Sequence, residues 1–256
     1  MEPVTRAQMA SDLARMGVRR GGMLLVHSSL KATGAADAEA IIAALLDALG
    51  PEGTLLLPAL TYLQDPPWVH DTRNTPVCIG WVPEYFRRRP GTVRSLHPTH
   101  SVCAAGARAE EITGDHRLDT TPCGPNSPFT RNLREGGQIL MLGCGLAPNT
   151  SMHAIEEIAG APYALGKPAE YTLTDASGRT FRKVYTPHGF GATLQQYPRV
   201  RGVLREPDLR SGMVGRAGAH LMDAAALLAA VTQAMRSDPY HFVDPPPPET
   251  DGAANR

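Results

Sequence analysis

The chain has 256 residues, 42% hydrophobic and 20% charged, which is the composition of an ordinary globular protein with enough chain for a sizeable core. Its 25 basic and 25 acidic residues cancel, so the basic bias of a nucleic-acid-binding protein is missing. Cys78, Cys103, Cys123 and Cys144 lie far apart with no CxxC spacing, which argues against a zinc knuckle. Cys103 and Cys144 sit in apolar runs and read as small core residues. No apolar run approaches membrane-spanning length, and the polar N-terminus has no signal-peptide pattern. A cytoplasmic protein with reduced thiols, and with neither membrane nor nucleic acid as partner, is expected.

In chain order, Thr5 to Gly17 predicts a helix, capped by Thr5, with Met9, Leu13 and Met16 at helical spacing. GGMLLVHSS is a short apolar run bounded by glycines, hence a buried strand. ADAEAIIAALLDALG predicts a helix that starts near Asp37 and stops at Gly50 and Pro51. GTLLLPAL is a second buried strand. From Tyr62 to Pro90, proline, aromatic and charged residues mix without periodicity, as in long loops that carry function; only WVPEYFRRR reads as a short helix there. THSVCAAG and GQILMLGCG are further strands, EYTLTDASGRTFRKVYTP a β-hairpin, and HLMDAAALLAAVTQAM a closing helix. The order predicts an α/β fold: a layered sandwich with a central mixed sheet flanked by helices, plus a β-hairpin in the second half. One domain over 1–243, with a proline-rich flexible tail over 244–256, is expected. No internal repeat, GxGxxG or P-loop pattern is present.

Five segments carry groups suited to chemistry. In VHSSLKATG, Val26 to Gly34, hydroxyl residues and Lys31 follow a buried strand. They would suit a phosphate, or serve as an ordinary loop satisfying its own backbone. In RSLHPTHSV, Arg94, His97 and His100 cluster before a strand. The HxxH spacing invites a metal, but no third ligand follows and His-Pro marks a turn; a loop packed on a ligand, with Ser101 and Val102 offering strand-end backbone, fits better. DTTPCGPNSPF, Asp119 to Phe129, is a rigid turn. Tyr62, Asp65, Trp68, Asp71 and Glu84 make the long loop aromatic and acidic, a lining suited to a polycationic substrate. In NTSMHAIEE, His153 and Glu156 share a helix face and Glu157 reaches the same side. A carboxylate on one imidazole nitrogen raises the basicity of the other, as a general base requires. Thr150 or Ser151 as N-cap, with acids near the positive helix end, accounts for the carboxylates equally well.

LLVHSSLKATG, DTRNTPVCIGWVPEYFRRRPGTVRSLHPTHSVCAAG, TTPCGPNSPF and GQILMLGCGLAPNTSMHAIEE together resemble the aminoglycoside 3-N-acetyltransferase family. The resemblance runs from Gly21 to Glu157 and continues more loosely to the end of the chain. It implies an α/β fold distinct from the GNAT fold, and transfer of acetyl from acetyl-CoA to the 3-amino group of an aminoglycoside antibiotic, conferring resistance, with no metal. It implies that His27, Ser28, Ser29, Leu30 and Lys31 hold the CoA pyrophosphate. Arg94, Ser95, Thr99, Ser101 and Val102 are implied along the rest of the cofactor. His153 is implied as general base with Glu156 as its partner, and Tyr62, Trp68, Asp71, Glu84, Glu157 and His188 as contacts of the aminoglycoside. One departure stands out. Resistance members carry a long acidic insertion in the second half, whereas Gly166 to Arg210 here holds more Arg and Lys than acid. The alternatives are a CoA-dependent acyltransferase acting on a non-antibiotic amine, and a non-catalytic CoA-binding module. A covalent route through Cys123 or Cys144 lacks a neighbouring base. Composition carries no sign of the oligomeric state.

Overall fold

Alternating side chains of the central strands enter two different cores, so these strands are apolar on both faces. Leu24 and Val26 join one core and Leu25 the other, and Leu55 and Leu57 part from Leu56 in the same way. The structure is a computed structural model that describes residues 2–190 and 193–244. Its strands are β1 (Met23–Ser28), β2 (Thr54–Pro58), β3 (Val69–Asp71), β4 (Val93–Arg94), β5 (Val102–Gly106), β6 (Gln138–Leu142), β7 (Ala169–Thr174), β8 (Thr180–Tyr185), β9 (Leu194–Gln195), β10 (Leu209–Val214), β11 (Ala217–Asp223) and β12 (Val243–Asp244). The helices are α1 (Arg6–Met16), α2 (Leu30–Thr33), α3 (Ala38–Leu49), α4 (Trp81–Arg88), α5 (Ala109–Gly114), α6 (Pro128–Arg134), α7 (Ser151–Ala159), α8 (Val200–Val203) and α9 (Ala224–Ser237).

Seven strands form the central sheet in the order β10-β11-β6-β1-β2-β5-β4. β1 runs parallel to β2, with Leu24 beside Leu55, and parallel to β6, with Leu25 beside Ile139. β5 and β11 pair antiparallel on either side of this parallel centre. On one face Met9 and Leu13 of α1, Ile41, Ile42 and Leu45 of α3 and Phe86 of α4 close the core. On the other, Phe129 and Leu133 of α6, Met152 and Ile155 of α7 and Leu227 and Val231 of α9 do so. This is the expected α/β sandwich around a mixed sheet. Local signals end the helices where expected. Thr5 accepts from Gln8 N–H, Asp37 accepts from Ala40 N–H, and Gly17 stops α1 in the left-handed region at φ 96°.

A second sheet of β3, β7 and β8 holds the expected hairpin. Asp175 closes its turn by accepting from the N–H groups of Ser177 and Arg179. Tyr171, Leu173 and Tyr185 of this sheet pack with Leu96 in a third, small core.

Of the segments assigned from the sequence, three differ from expectation. Val69–Asp71 lies in the presumed loop but pairs parallel with β7, a long-range contact that three residues cannot announce. The rigid turn at 119–129 runs into α6, whose N-cap Ser127 accepts from Thr130 N–H while Pro128 occupies the first turn. HLMD belongs to β11, and Asp223 at its end caps α9 by accepting from Ala226 N–H. Strand and helix meet there without a turn residue between them. Of the tail expected over 244–256, all but Asp244 lies outside the described residues. Among the described residues no helix is long and apolar enough to cross a membrane.

Candidate active site

The parallel strands β1, β2 and β6 end on one side of the sheet, where ligands of α/β proteins collect. His27 and Ser28 end β1, Pro58 ends β2, and Cys144 lies just past β6; all four line a cavity of about 780 Å³. Tyr62 and Trp68 of the long loop wall one side, and Phe190 and Tyr197 another. His100, His153 and His188 also face this space. Phe190 holds a left-handed backbone at φ 52°, uncommon for a bulky residue and frequent at ligand sites. Its ring centroid lies 4.6 Å from that of His153 and 4.9 Å from that of His188.

His153 sits in the first turn of α7, which follows the loop that leaves β6. Neither Thr150 nor Ser151 caps this helix with its side chain; Asn149 Oδ1 accepts from Ser151 N–H instead. His153 Nδ1 lies 3.2 Å from Glu156 Oε2 and 2.7 Å from Tyr197 Oη. Tyr197 also donates to Glu156 Oε2 at 2.9 Å, and Tyr163 donates to Glu156 Oε1 at 3.2 Å. Glu156 is 0% exposed. Burial, then the Glu156 charge, pushes both phenols above their ordinary range and keeps them as donors. With Nδ1 engaged, His153 has Nε2 left for the cavity it lines.

A second polar group adjoins this one. Thr99 Oγ1 lies 2.9 Å from His100 Nδ1, His100 Nε2 lies 3.2 Å from His188 Nδ1, and His188 Nε2 lies 2.7 Å from Glu157 Oε1. Glu157 Oε1 also accepts from Cys123 N–H.

Of the residues assigned to the cofactor, His27, Ser28 and Thr99 line the cavity. His27 Nε2 and Ser28 Oγ are buried without a partner, which suits a polar ligand at the end of β1. Burial lowers His27 to a pKa of about 3, so its imidazole is neutral. Ser29, Leu30 and Lys31 are not among the lining residues: the Ser29 N–H is taken by Leu142 O, and Lys31 is exposed. Arg94, Ser95, Ser101 and Val102 do not line it either. The Arg94 guanidinium donates to Ser101 Oγ and to the carbonyls of Ala59, Thr72 and Thr75, tying the long loop to the sheet. Ser95 Oγ accepts from Val102 N–H, and Val102 is a fully buried strand residue paired with Pro58.

Of the residues assigned to the substrate, Tyr62, Trp68 and His188 line the cavity; Asp71, Glu84 and Glu157 do not. Asp71 staples its own turn, accepting from the N–H groups of Arg73 and Asn74. Glu84 pairs with Arg87 at 2.7 Å and Arg88 at 2.6 Å and accepts from Val77 N–H. Hydrogen bonds from Arg87 hold its carboxyl at a pKa of about 2. Glu157 stands behind His188. The HxxH pair divides: His97 Nδ1 accepts from the N–H groups of Thr99 and His100, shaping the turn that presents His100. Cys144 packs against the core and also borders the cavity. Burial raises its thiol to about 11 and lifts that of Cys123 well above the ordinary thiol range, so both stay protonated at neutral pH.

Several site residues escaped the sequence reading. Tyr197, Phe190 and Lys167 lie in the second half, where no motif flags them. Among the described residues lining the cavity there is no Asp or Glu.

A family model for aminoglycoside 3-N-acetyltransferase matches residues 25–236. The chain is 35% identical over 246 residues to aminoglycoside N(3)-acetyltransferase IV from Salmonella, covering 94% of this chain and 91% of that one. It is 33% identical over 254 residues to aminoglycoside N(3)-acetyltransferase VIII from Streptomyces fradiae, covering 87% and 88%. Among solved structures, a variant of aminoglycoside acetyltransferase AAC(3)-IVa in complex with a gentamicin superposes with a TM-score of 0.83 at 33% identity, covering 96% of this chain and 93% of that one. AAC-IIIb in a binary complex with CoASH superposes with a TM-score of 0.79 at 33% identity, covering 95% and 99%. The chain belongs to the aminoglycoside 3-N-acetyltransferase family, a family of acyltransferases.

Proposed function

We propose that this protein transfers the acetyl group of acetyl-CoA directly to the 3-amino group of an aminoglycoside, with His153 as general base. The observation that carries the proposal is the His153 imidazole, held through Nδ1 by Glu156 and Tyr197 at the edge of the cavity where β1, β2 and β6 end. The relative bound to CoASH and the one bound to a gentamicin supply the substrate classes. The unpartnered His27 Nε2 and Ser28 Oγ fit the polar parts of the acyl donor. An amine attacks only with a free lone pair. His153 Nε2 takes a proton from the nitrogen as its bond to the acetyl carbon forms, the C–S bond breaks, and the sulfur leaves as thiolate to be protonated in turn by His153. The buried Glu156 carboxylate stabilises the intervening imidazolium. The protonated thiols of Cys123 and Cys144 disfavour an acetyl-cysteine intermediate. No metal is needed for this chemistry, and use of acetyl-CoA implies action in the cytoplasm.

The test is thiol release from acetyl-CoA with gentamicin and neomycin as acceptors. His153→Ala is expected to cut turnover by roughly 100-fold or more while CoA binding persists; a rate near that of the wild type sinks the assignment. A second reading, transfer to a less cationic amine, draws on the absence of acidic side chains among the described lining residues and the presence of Lys167. A panel of mono- and polyamines in the same assay separates the two. Expression in a susceptible bacterium then decides whether resistance is conferred.

A further inference from the structure

Acetylation of an amine that arrives as an ammonium ion strips two protons from nitrogen. One must leave before the lone pair exists, and the other leaves as the C–N bond forms. His153 Nε2 has room for one. The chain of Thr99, His100, His188 and Glu157 leads away from the same cavity, and its hydrogen-bond polarity is set at both ends. At the inner end Glu157 Oε1 already accepts from Cys123 N–H, and as an acceptor it takes the Nε2–H of His188 at 2.7 Å. His188 Nδ1 therefore accepts from His100 Nε2–H, and His100 Nδ1 accepts from the Thr99 hydroxyl. At the outer end His97 Nδ1 receives the N–H groups of Thr99 and His100. The single hydroxyl proton of Thr99 goes to His100 Nδ1 at 2.9 Å in preference to His97 Nδ1, which lies 3.5 Å away and already receives two N–H groups, and the oxygen of this cavity-lining residue remains free only to accept.

Building on the proposed acetyl transfer, we propose that Thr99, His100, His188 and Glu157 form a second proton path, which takes the first proton from the bound ammonium group while His153 takes the second. An N–H bond of the substrate breaks and that proton joins Thr99 Oγ1, whose own proton moves to His100 Nδ1. His100 Nε2 passes its proton to His188 Nδ1, and His188 Nε2 passes its proton to Glu157 Oε1. One N–H bond is lost, one carboxyl O–H bond is gained, and both imidazoles end neutral in the opposite tautomer. After the amide leaves, the reverse transfer to water restores the starting tautomers. The His153 proton goes to the departing thiolate, so one proton per turnover reaches solvent.

The surroundings favour a proton on the carboxylate over one on the rings. Burial and the neighbouring histidines push His100 and His188 well below the ordinary range, so neither holds a charge. Burial raises Glu157 above the ordinary carboxyl range, against hydrogen bonds from Thr121 and Cys123 N–H. The other ionisable groups facing the path are His153 and Glu156 of α7, Tyr62, His97 and His116 beside His100, and Asp119 and Cys123 beside Glu157. Thr99 is the member that touches substrate; His100, His188 and Glu157 act through it.

The experiment is kcat/KM for acetylation of an aminoglycoside across pH 6 to 10 in the wild type, Thr99→Val, Thr99→Ser and Glu157→Gln. Thr99→Val and Glu157→Gln are expected to lose about 100-fold near neutral pH and to approach the wild type at the alkaline end, where the amine arrives without its extra proton. Thr99→Ser keeps the hydroxyl and is expected to keep the rate. Variants that lose the same factor at every pH, or lose nothing near neutrality, overturn the path while leaving acetyl transfer intact. A wild type that releases no thiol with any amine at any pH overturns the functional reading and the path with it.

Discussion

His153 and Glu156 are three apart on one helix, so their contact follows from helical geometry alone and was legible in NTSMHAIEE. Tyr197 is not legible in this way. It is 41 residues from Glu156, yet its hydroxyl meets both members of the pair. Tyr197→Phe keeps the ring and removes one donor from a buried carboxylate, which costs about 1.5–3 kcal/mol for a hydrogen bond to a charged group. The expected result is a kcat reduced about tenfold or more with KM for acetyl-CoA unchanged, read by steady-state kinetics; an unchanged kcat denies Tyr197 a share in holding His153. Asp71 and Glu84 teach the converse. A carboxylate in a functional-looking loop is drawn first to the nearest donors, here Arg73 and Asn74 N–H for one and Arg87 for the other, and both become staples of the loop.

The elements built from local signals formed as expected: α1 and α3 between their caps, β1, β2 and β6 as apolar runs, and the β7–β8 hairpin around Asp175. The β10–β11 pair eluded the pattern because four successive residues of β10, Arg210 to Met213, are exposed and show no alternation. The cap at the junction of β11 and α9 is a measurable contribution. Asp223→Ala removes the acceptor for Ala226 N–H and the ion pair to Arg19, and is expected to cost about 1 kcal/mol in urea unfolding. Gly106, at the end of β5, is more demanding. Its φ is 120°, and an added Cβ would lie 2.1 Å from Gly53 O, in the backbone beside β2. Because neither strand can retreat without breaking the β2–β5 ladder, Gly106→Ala is expected to cost roughly 3 kcal/mol or more by the same measurement; a loss below that of Asp223→Ala would mean that the edge of the sheet yields.

Across the whole molecule, burial of neutral histidines sets the response to acid. His27, His70, His97, His100, His116 and His188 are all held below their ordinary value of 6.5, chiefly by burial, with His27, His70 and His116 at about 3. Between those values and 6.5 the unfolded chain binds more protons than the folded one. Stability is therefore level above the unfolded value and falls as the pH drops below it, by up to about 1.4 kcal/mol per pH unit for each such group. The melting temperature in calorimetry is expected to be flat from pH 8 to 7 and to fall steeply from pH 6 to 5. A flat profile down to pH 5 would show that these rings are not buried in the folded protein.

The sequence by itself determined the periodicities, the caps, the apolar runs whose ends line the cavity and the His153–Glu156 spacing, because each depends on residues within a turn or two of one another. Tertiary structure alone decided which strands are neighbours, which carboxylates are buried and paired, and which side chains beyond α7 reach His153. Those outcomes depend on where distant segments are buried together. An imidazole or a carboxyl group acquires its role from that burial and from the donors it meets there, and a one-dimensional pattern holds no record of either.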